Sequence, residues 1–323
     1  MKNKYSKKYI IETGIGLQDV DKLENSSYFL NETNRYIKGE ISLNELDQII
    51  SSYYKNKPSS EDRSEEADKV SIRIAKIISE DSFTFTVGQI IAIHKTLFLD
   101  ILDNAGQLRS YNFTKKEWVL DGASVTYGDY RELETTLQYD FEQEKKYRYD
   151  NLSIDDTINH LAIFIANLWQ IHAFEEGNTR TTAVFFIKYL RSLGFDVTND
   201  IFAKNAWYFR NSLARANYTN VSKGIYEDRS YLIKFLRNLL LKEKNELKNR
   251  DIHIGNHEPI SSGTKQARII ALIRNNPKIT TDEIARSLGV SLRTTKSIIK
   301  TLVDNKIISR VDGKRFGYWK VLK

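Results

Sequence analysis

The sequence predicts an all-α main body, and three observations carry that prediction. Only 3 prolines and 15 glycines occur in 323 residues, so long helices can run without interruption. Residues 156–174, DTINHLAIFIANLWQIHAF, follow acidic residues with Ile158, Leu161, Ala162, Ile165, Leu168 and Trp169 at helical spacing, and TAVFFIKYLRSLGF continues as a second apolar helix ended by Gly194. The third observation is the exception: the last sixty residues close on two short runs with strand character around Asp312-Gly313.

Composition narrows the functional classes. Hydrophobic residues are 41% and charged residues 28%, an ordinary globular balance that argues against wholesale disorder. The length suggests two or three domains. No apolar run approaches the roughly 18 residues of a membrane span, and the lysine-rich start MKNKYSKKYI lacks the apolar stretch of a signal peptide. There are no cysteines, which excludes disulfides, thiolate zinc sites and cysteine nucleophiles. A cytoplasmic location is the expectation. The net charge of +7 is unevenly spread: residues 264–323 hold fourteen basic and four acidic residues, +10 in all, which leaves −3 for residues 1–263. The basic end is suited to meeting a polyanion, or is a solvated basic surface.

Along the chain, Ile37 to Leu43 divides two helical stretches. Ser42 is placed to cap the second, whose apolar positions are Leu43, Leu46, Ile49 and Ile50. Pro58, within the polar run KNKPSSEDRSEE, and Pro259, within HIGNHEPISSGTK, mark joints. They divide the chain into 1–57, 58–250 and 264–323. Gly14-Ile-Gly16 precedes no dinucleotide fold, and His253 and His257 have metal-helix spacing where Gly and Pro disfavour a helix, so neither is assigned a role.

In the last segment, Ala267–Asn275 is a short amphipathic helix and Pro277 ends it. Thr280 or Thr281 caps a second helix with Ile284, Ala285 and Leu288 inward. Gly289-Val290 turns the chain, and Ser291 caps a third helix running to about Asn305. Residues 307–311 and 316–321 form the two strands. This order resembles the winged-helix family. In that reading Arg293, Thr294, Lys296 and Lys300 on the third helix, with Lys314 and Arg315 on the wing, contact DNA. Winged helices also serve as dimerisation or docking modules.

The chemistry is in the middle segment. Between its two apolar helices lies His172-Ala-Phe174-Glu-Glu176-Gly177-Asn178-Thr-Arg180. Free N–H groups at the second helix's start attract anions, Arg180 can hold phosphate oxygens, Glu176 can ligate Mg²⁺ and His172 can act as a base near pH 7. The bland alternative is a helix–helix corner around a core histidine. The string resembles the signature of the Fic family, His-x-Phe-x-Asp/Glu-Gly-Asn-x-Arg-x-x-Arg. Ile93 to Phe98, Asn104 to Arg109, Phe113 to Leu120 with Asp121-Gly122, and Trp207 to Leu213 extend the likeness over about residues 70–245.

The resemblance implies a Fic-type helical core with a small β-hairpin flap, and transfer of AMP from ATP, with Mg²⁺, to a Ser, Thr or Tyr hydroxyl of a target protein. His172 would be the catalytic base and Glu176 the metal ligand. Phe174, Gly177, Asn178, Arg180, Tyr208 and Asn211 would bind nucleotide. The flap residues Thr114, Lys115, Lys116, Glu117, Trp118 and Val119 would pair with an extended target segment. Candidate partners are a target protein, the chain itself included, DNA, and a second copy of the chain in a homo-oligomer, with no membrane.

Two departures qualify this. Ala183 stands where the signature has its second arginine, a loss of very roughly 1.5–3 kcal/mol of charge-assisted hydrogen bonding unless another arginine substitutes, with Arg109, Arg191 and Arg215 as candidates. Thr179 replaces the usual Gly or Lys. The N-terminal segment in turn resembles the small antitoxin proteins that block Fic enzymes, fused here in cis. Glu24 and Asn25 match the end of their motif, Ser/Thr-x-x-x-Glu-Gly/Asn, while Val20 replaces its first residue. Glu24 is therefore expected at the end of an inhibitory helix, pointing into the nucleotide site; the bland alternative is an exposed helix carboxylate. The alternative readings are a DNA-binding regulator with a nucleotide-sensing, weakly active Fic domain, or transfer or removal of another group such as UMP or phosphocholine.

Overall fold

In the computed structural model, residues 6–55, 63–197, 200–256, 265–311 and 317–322 are described. Pro58, His257, Pro259, the Asp312-Gly313 turn and the wing residues Lys314 and Arg315 lie outside them. The architecture is all-α, with one antiparallel strand pair at the C-terminal end among the described residues.

The first elements are α1 (Lys7–Gly16), a 3-10 turn at Leu17–Asp21, α2 (Ser27–Lys38) and α3 (Leu43–Lys55). Ser42 and Glu45 satisfy each other's backbone N–H at the start of α3, the reciprocal arrangement that fixes a helix N-terminus, as the sequence suggests. Next come α4 (Ser64–Ser79) and α5 (Val87–Phe98), then the flap region, then α6 (Leu133–Lys146) and α7 (Ile154–Ile171). They are followed by α8 (Asn178–Ser192), α9 (Asp200–Ala216), which kinks at Asn205, α10 (Ser230–Leu241) and the short α11 (Asn249–Ile252). Helix α8 is buried from Asn178 through Leu190, packed by α4, α5 and α7, with a polar first turn at the site and an apolar run from Ala183 to Ile187 behind it. Gly194, at φ +89°, turns the chain after it.

One hydrophobic core runs from Ile10 to Ile254 and includes Ile11, Leu17, Val20, Phe29 and Leu46. The N-terminal helices thus share one core with the middle segment. The Gly14-Ile-Gly16 pair has a packing role here. A Cβ at Gly14 would stand 2.1 Å from the Ser71 carbonyl oxygen of α4, and one at Gly16 2.1 Å from the Ala203 carbonyl oxygen of α9. Only glycine lets α1 lie this close to both helices.

A second core holds α12 (Lys265–Asn275), α13 (Thr281–Leu288), α14 (Leu292–Asp304), β1 (Ile308–Val311) and β2 (Tyr318–Val321) around Ile269, Ile284, Leu302 and Trp319. Thr280 and Glu283 box the start of α13, Gly289 closes it in the left-handed conformation, and Ser291 caps α14. The strands pair Ile308 with Val321 and Val311 with Tyr318.

Candidate active site

His172 ends α7 in the left-handed region, at φ +51°, which turns its ring out of the helix into an aromatic box. Tyr127 stacks on it at 3.9 Å, and Phe113 and Trp169 meet it edge-on at 5.7 and 5.3 Å. Burial holds the His172 pKa well below its ordinary value, and Lys115, Arg210 and Arg109 push the same way. The ring is therefore neutral at pH 7, the form that accepts a proton.

The loop that follows is fixed by His94 of α5. Its Nδ1 accepts from the Gly106 N–H at 2.8 Å, so the ring proton sits on Nε2 and donates to the Glu176 carbonyl at 3.1 Å. Phe174 stacks on the same imidazole at 3.8 Å. Both ends of the Asn178 amide bond the backbone of Phe174, at 2.7 and 3.0 Å, so this side chain shapes the loop while keeping its second amide N–H. Gly177 has φ +72°, and a Cβ there would fall 2.3 Å from the Phe98 ring. Thr179 accepts the Trp169 indole N–H at 2.9 Å, which gives this departure from the signature a packing reason. Arg109 binds the carbonyls of His172, Tyr111 and Gly128, tying the flap to the base.

Around this loop the charges alternate. Arg180, fully buried, lies over Phe98, donates to Glu66 at 2.7 Å and Gln18 at 3.0 Å, and pairs with the Asp21 carboxylate at 3.0 Å. Arg210 of α9 donates to both Glu117 oxygens at 3.1 Å and to the Val20 carbonyl at 2.7 Å, with Asp21 at 3.4 Å. Arg63 spans Glu66 at 2.7 Å and Glu176 at 3.4 Å. Burial would raise the Asp21 pKa, but Arg180, Lys115, Arg210 and Arg63 together hold it below 3.8, so it is ionised at neutral pH.

Several sequence expectations are corrected by this geometry. Glu24 does not enter the site. The turn carrying the N-terminal segment inward ends at Asp21, Lys22 reverses the chain at φ +55°, and Glu24 lies exposed in the following loop. Asn25 is tied to Asp68 and Ser71 of α4, so the matching Glu-Asn pair marks an anchor. Tyr208 and Asn211 face away from the site: the Tyr208 hydroxyl donates to the Tyr231 carbonyl and the Asn211 amide to Asn249. The face of α9 turned to the site carries Trp207 and Arg210. Trp207 lies beside Trp118 of the flap and under Lys22 and Arg210. The three candidate substitutes for the absent arginine all serve backbone carbonyls, Arg191 that of Ile78 and Arg215 that of Tyr226.

The flap is a hairpin-shaped excursion whose arms make few cross-links, Glu117 N to Ala123 O at 2.9 Å and Lys115 N to Ser124 Oγ at 3.1 Å. Among the described residues no strand pairing forms here and Trp118–Leu120 make a 3-10 turn, so the flap is not the β-hairpin the resemblance implies. Thr114, Lys116 and Trp118 are exposed and open to a target, whereas Glu117 and Val119 are buried and Lys115 is half-buried, so these three face inward. On α14, Arg293, Lys296 and Lys300 are exposed, and Thr294 shares its hydroxyl with the Ser291 cap.

Residues 84–190 match the model of the Fic/DOC family. Residues 264–309 match the winged helix-turn-helix DNA-binding model, so the chain joins the two modules. Among solved structures, a Fic family protein from Desulfovibrio desulfuricans is similar at a TM-score of 0.44 and 13% identity, over 97% of this chain and 87% of that one. No curated protein matches. Among the described residues no helix is long and apolar enough to cross a membrane.

The His94 tautomer has a measurable consequence. Burial lowers its pKa from 6.5 to about 4, so below pH 6.5 the unfolded chain takes up a proton that the folded one refuses. Stability from this group is complete above pH 6.5 and is lost as pH falls towards 4, by about 3 kcal/mol at 1.36 kcal/mol per pKa unit. Urea unfolding at pH 7 and pH 4.5 should therefore show a steeper loss in the wild type than in His94→Gln. Equal losses would mean that His94 is not held neutral.

Proposed function

We propose that the chain transfers AMP from ATP to a protein hydroxyl, and that its N-terminal segment restrains this reaction. The observation that carries the reading is a neutral histidine at the end of one buried helix beside an arginine-lined anion site at the start of the next. His172 takes the proton of the target hydroxyl. That oxygen bonds to the α-phosphorus, the bond from phosphorus to the β-phosphate bridging oxygen breaks, and pyrophosphate leaves with the electron pair. Arg180 and the N-terminal amides of α8 offset the charge developing on phosphate.

The residues present fit a divalent cation only in company with phosphate. Among the described residues no group of three or more His, Cys, Asp or Glu is gathered to hold a metal. Glu176, with a side chain 45% exposed and Arg63 at 3.4 Å, has oxygen to offer, and phosphate and water would complete the shell. Bound there, Mg²⁺ would neutralise phosphate charge. The restraint is ascribed to Asp21, which occupies Arg180. Incubation with labelled ATP and Mg²⁺ tests the reading: the wild type should label itself or an added target, and His172→Ala should lose labelling by about a hundredfold or more while keeping its melting temperature. Labelling by His172→Ala at the wild-type rate would remove the base from the mechanism.

A second reading, a DNA-binding regulator with a nucleotide-sensing Fic domain, is favoured by one junction. Tyr226 packs against the winged-helix core and donates to the Ser287 carbonyl at 2.8 Å, while its own carbonyl accepts from Arg215 of α9 at 2.6 Å. The helix that carries Arg210 is thus tied to the C-terminal domain. If that domain binds DNA, affinity must fall steeply with salt, because phosphate contacts release counterions. Replacing Arg293 and Lys296 together should lower the log–log salt slope by about two. An unchanged slope in retardation assays would favour a docking role.

A further inference from the structure

Arg210 and Asp21 carry an inference about how this site holds phosphate without the signature's second arginine. The two oxygens of Asp21 are divided between two cations: Oδ2 lies 3.0 Å from Arg180 Nη2, and Oδ1 lies 3.4 Å from Arg210 Nη1. Two oxygens of one carboxylate are spaced much as two oxygens of one phosphate. A gap that Asp21 spans is therefore the size that a phosphate edge spans.

Each arginine is also held independently of Asp21. Arg180 keeps Glu66, Gln18 and the Phe98 ring face, and Arg210 keeps both oxygens of Glu117 and the Trp207 ring face. The Nε atoms of both guanidinium groups are buried and have no hydrogen-bond partner. Asp21 is the shared and replaceable member. Without its charge each arginine still has a carboxylate of its own, while Lys115 and Arg63 leave the gap positive. Such a gap draws an anion.

We propose that Arg210, reaching in from α9, is the second phosphate-holding arginine of this site, and that the gap between it and Arg180 binds the polyphosphate chain of a nucleotide in competition with the Asp21 carboxylate. This rests on the nucleotide reading given above. It supplies a second guanidinium to a site in which Ala183, buried in α8, offers none. It also defines what moves. Helix α1 is locked by Gly14 and Gly16, and Asn25 and Ser26 are locked on Asp68, so release of the site is a local shift of Asp21 between those two anchors. The segment need not dissociate. Acid does not trigger the shift, because Asp21 stays ionised through the physiological range.

Calorimetry with inorganic tripolyphosphate, then with ATP, on the full chain tests this. Asp21→Asn should bind tripolyphosphate about tenfold or more tighter than the wild type, since a charged competitor for two guanidinium groups is gone. Adding Arg210→Gln to Asp21→Asn should abolish that gain, and Arg210→Lys should restore part of it, keeping the charge but losing the fork. Melting temperatures near the wild-type value establish that the variants fold. If Asp21→Asn binds tripolyphosphate no better than the wild type, or if Arg210→Gln leaves the gain intact, the proposal is wrong. If tripolyphosphate binds as described but ATP gains nothing, the phosphate gap stands and the nucleotide reading fails. If ATP binds and labels while Arg210→Gln changes neither, the reading stands and the role of Arg210 fails.

Discussion

A single carboxylate, Asp21, lies between Arg180 and Arg210, and the arrangement of the cleft follows from it. Three arginines and four acids alternate across the site, Glu117, Arg210, Asp21, Arg180, Glu66, Arg63 and Glu176 in sequence of contact. Buried ions persist only when each is paired, because the cost of desolvation is large and returns in full when a partner is removed. A site built to receive a polyanion must therefore carry protein carboxylates while it waits, or lose stability. In the function proposed here Asp21 is that stand-in, and the contact that pairs the buried arginines in the resting fold is the one a nucleotide would have to displace.

The loop between α7 and α8 solves a different problem, that of rigidity. His94 is neutral and bonded at both nitrogens, Asn178 closes on the backbone of Phe174, and Gly177 admits Phe98 at a distance no side chain would permit. Arg109 extends this fixed unit to the flap. The reacting groups thus sit on elements with few alternative conformations, as orientation-dependent chemistry requires.

How far the sequence reveals this depends on the range of the interaction. The His172–Arg180 string was legible because each residue type has a local chemical reason, a tight turn, a loop closure, an anion at a helix start. The winged helix was legible from caps and turns, Thr280, Gly289 and Ser291. Glu24 was a misreading of phase: a 3-10 turn ends three residues sooner, and the motif-like Glu-Asn pair is used to anchor the chain on Asp68. Arg210 carried no local signal. On α9 the pairs Trp207–Arg210 and Tyr208–Asn211 are adjacent stripes one residue apart, and only packing against α1 and α10 decides which faces the cleft. Gly14 and Gly16 look like a fragment of a nucleotide loop and prove to be a helix crossing.

The most direct measurement is a crystal structure of the full chain grown with ATP and Mg²⁺. The account predicts phosphate density in contact with both Arg180 and Arg210, with the Asp21 carboxylate withdrawn and α1 in place. Phosphate bound elsewhere, with Asp21 still bridging the two arginines, would contradict it.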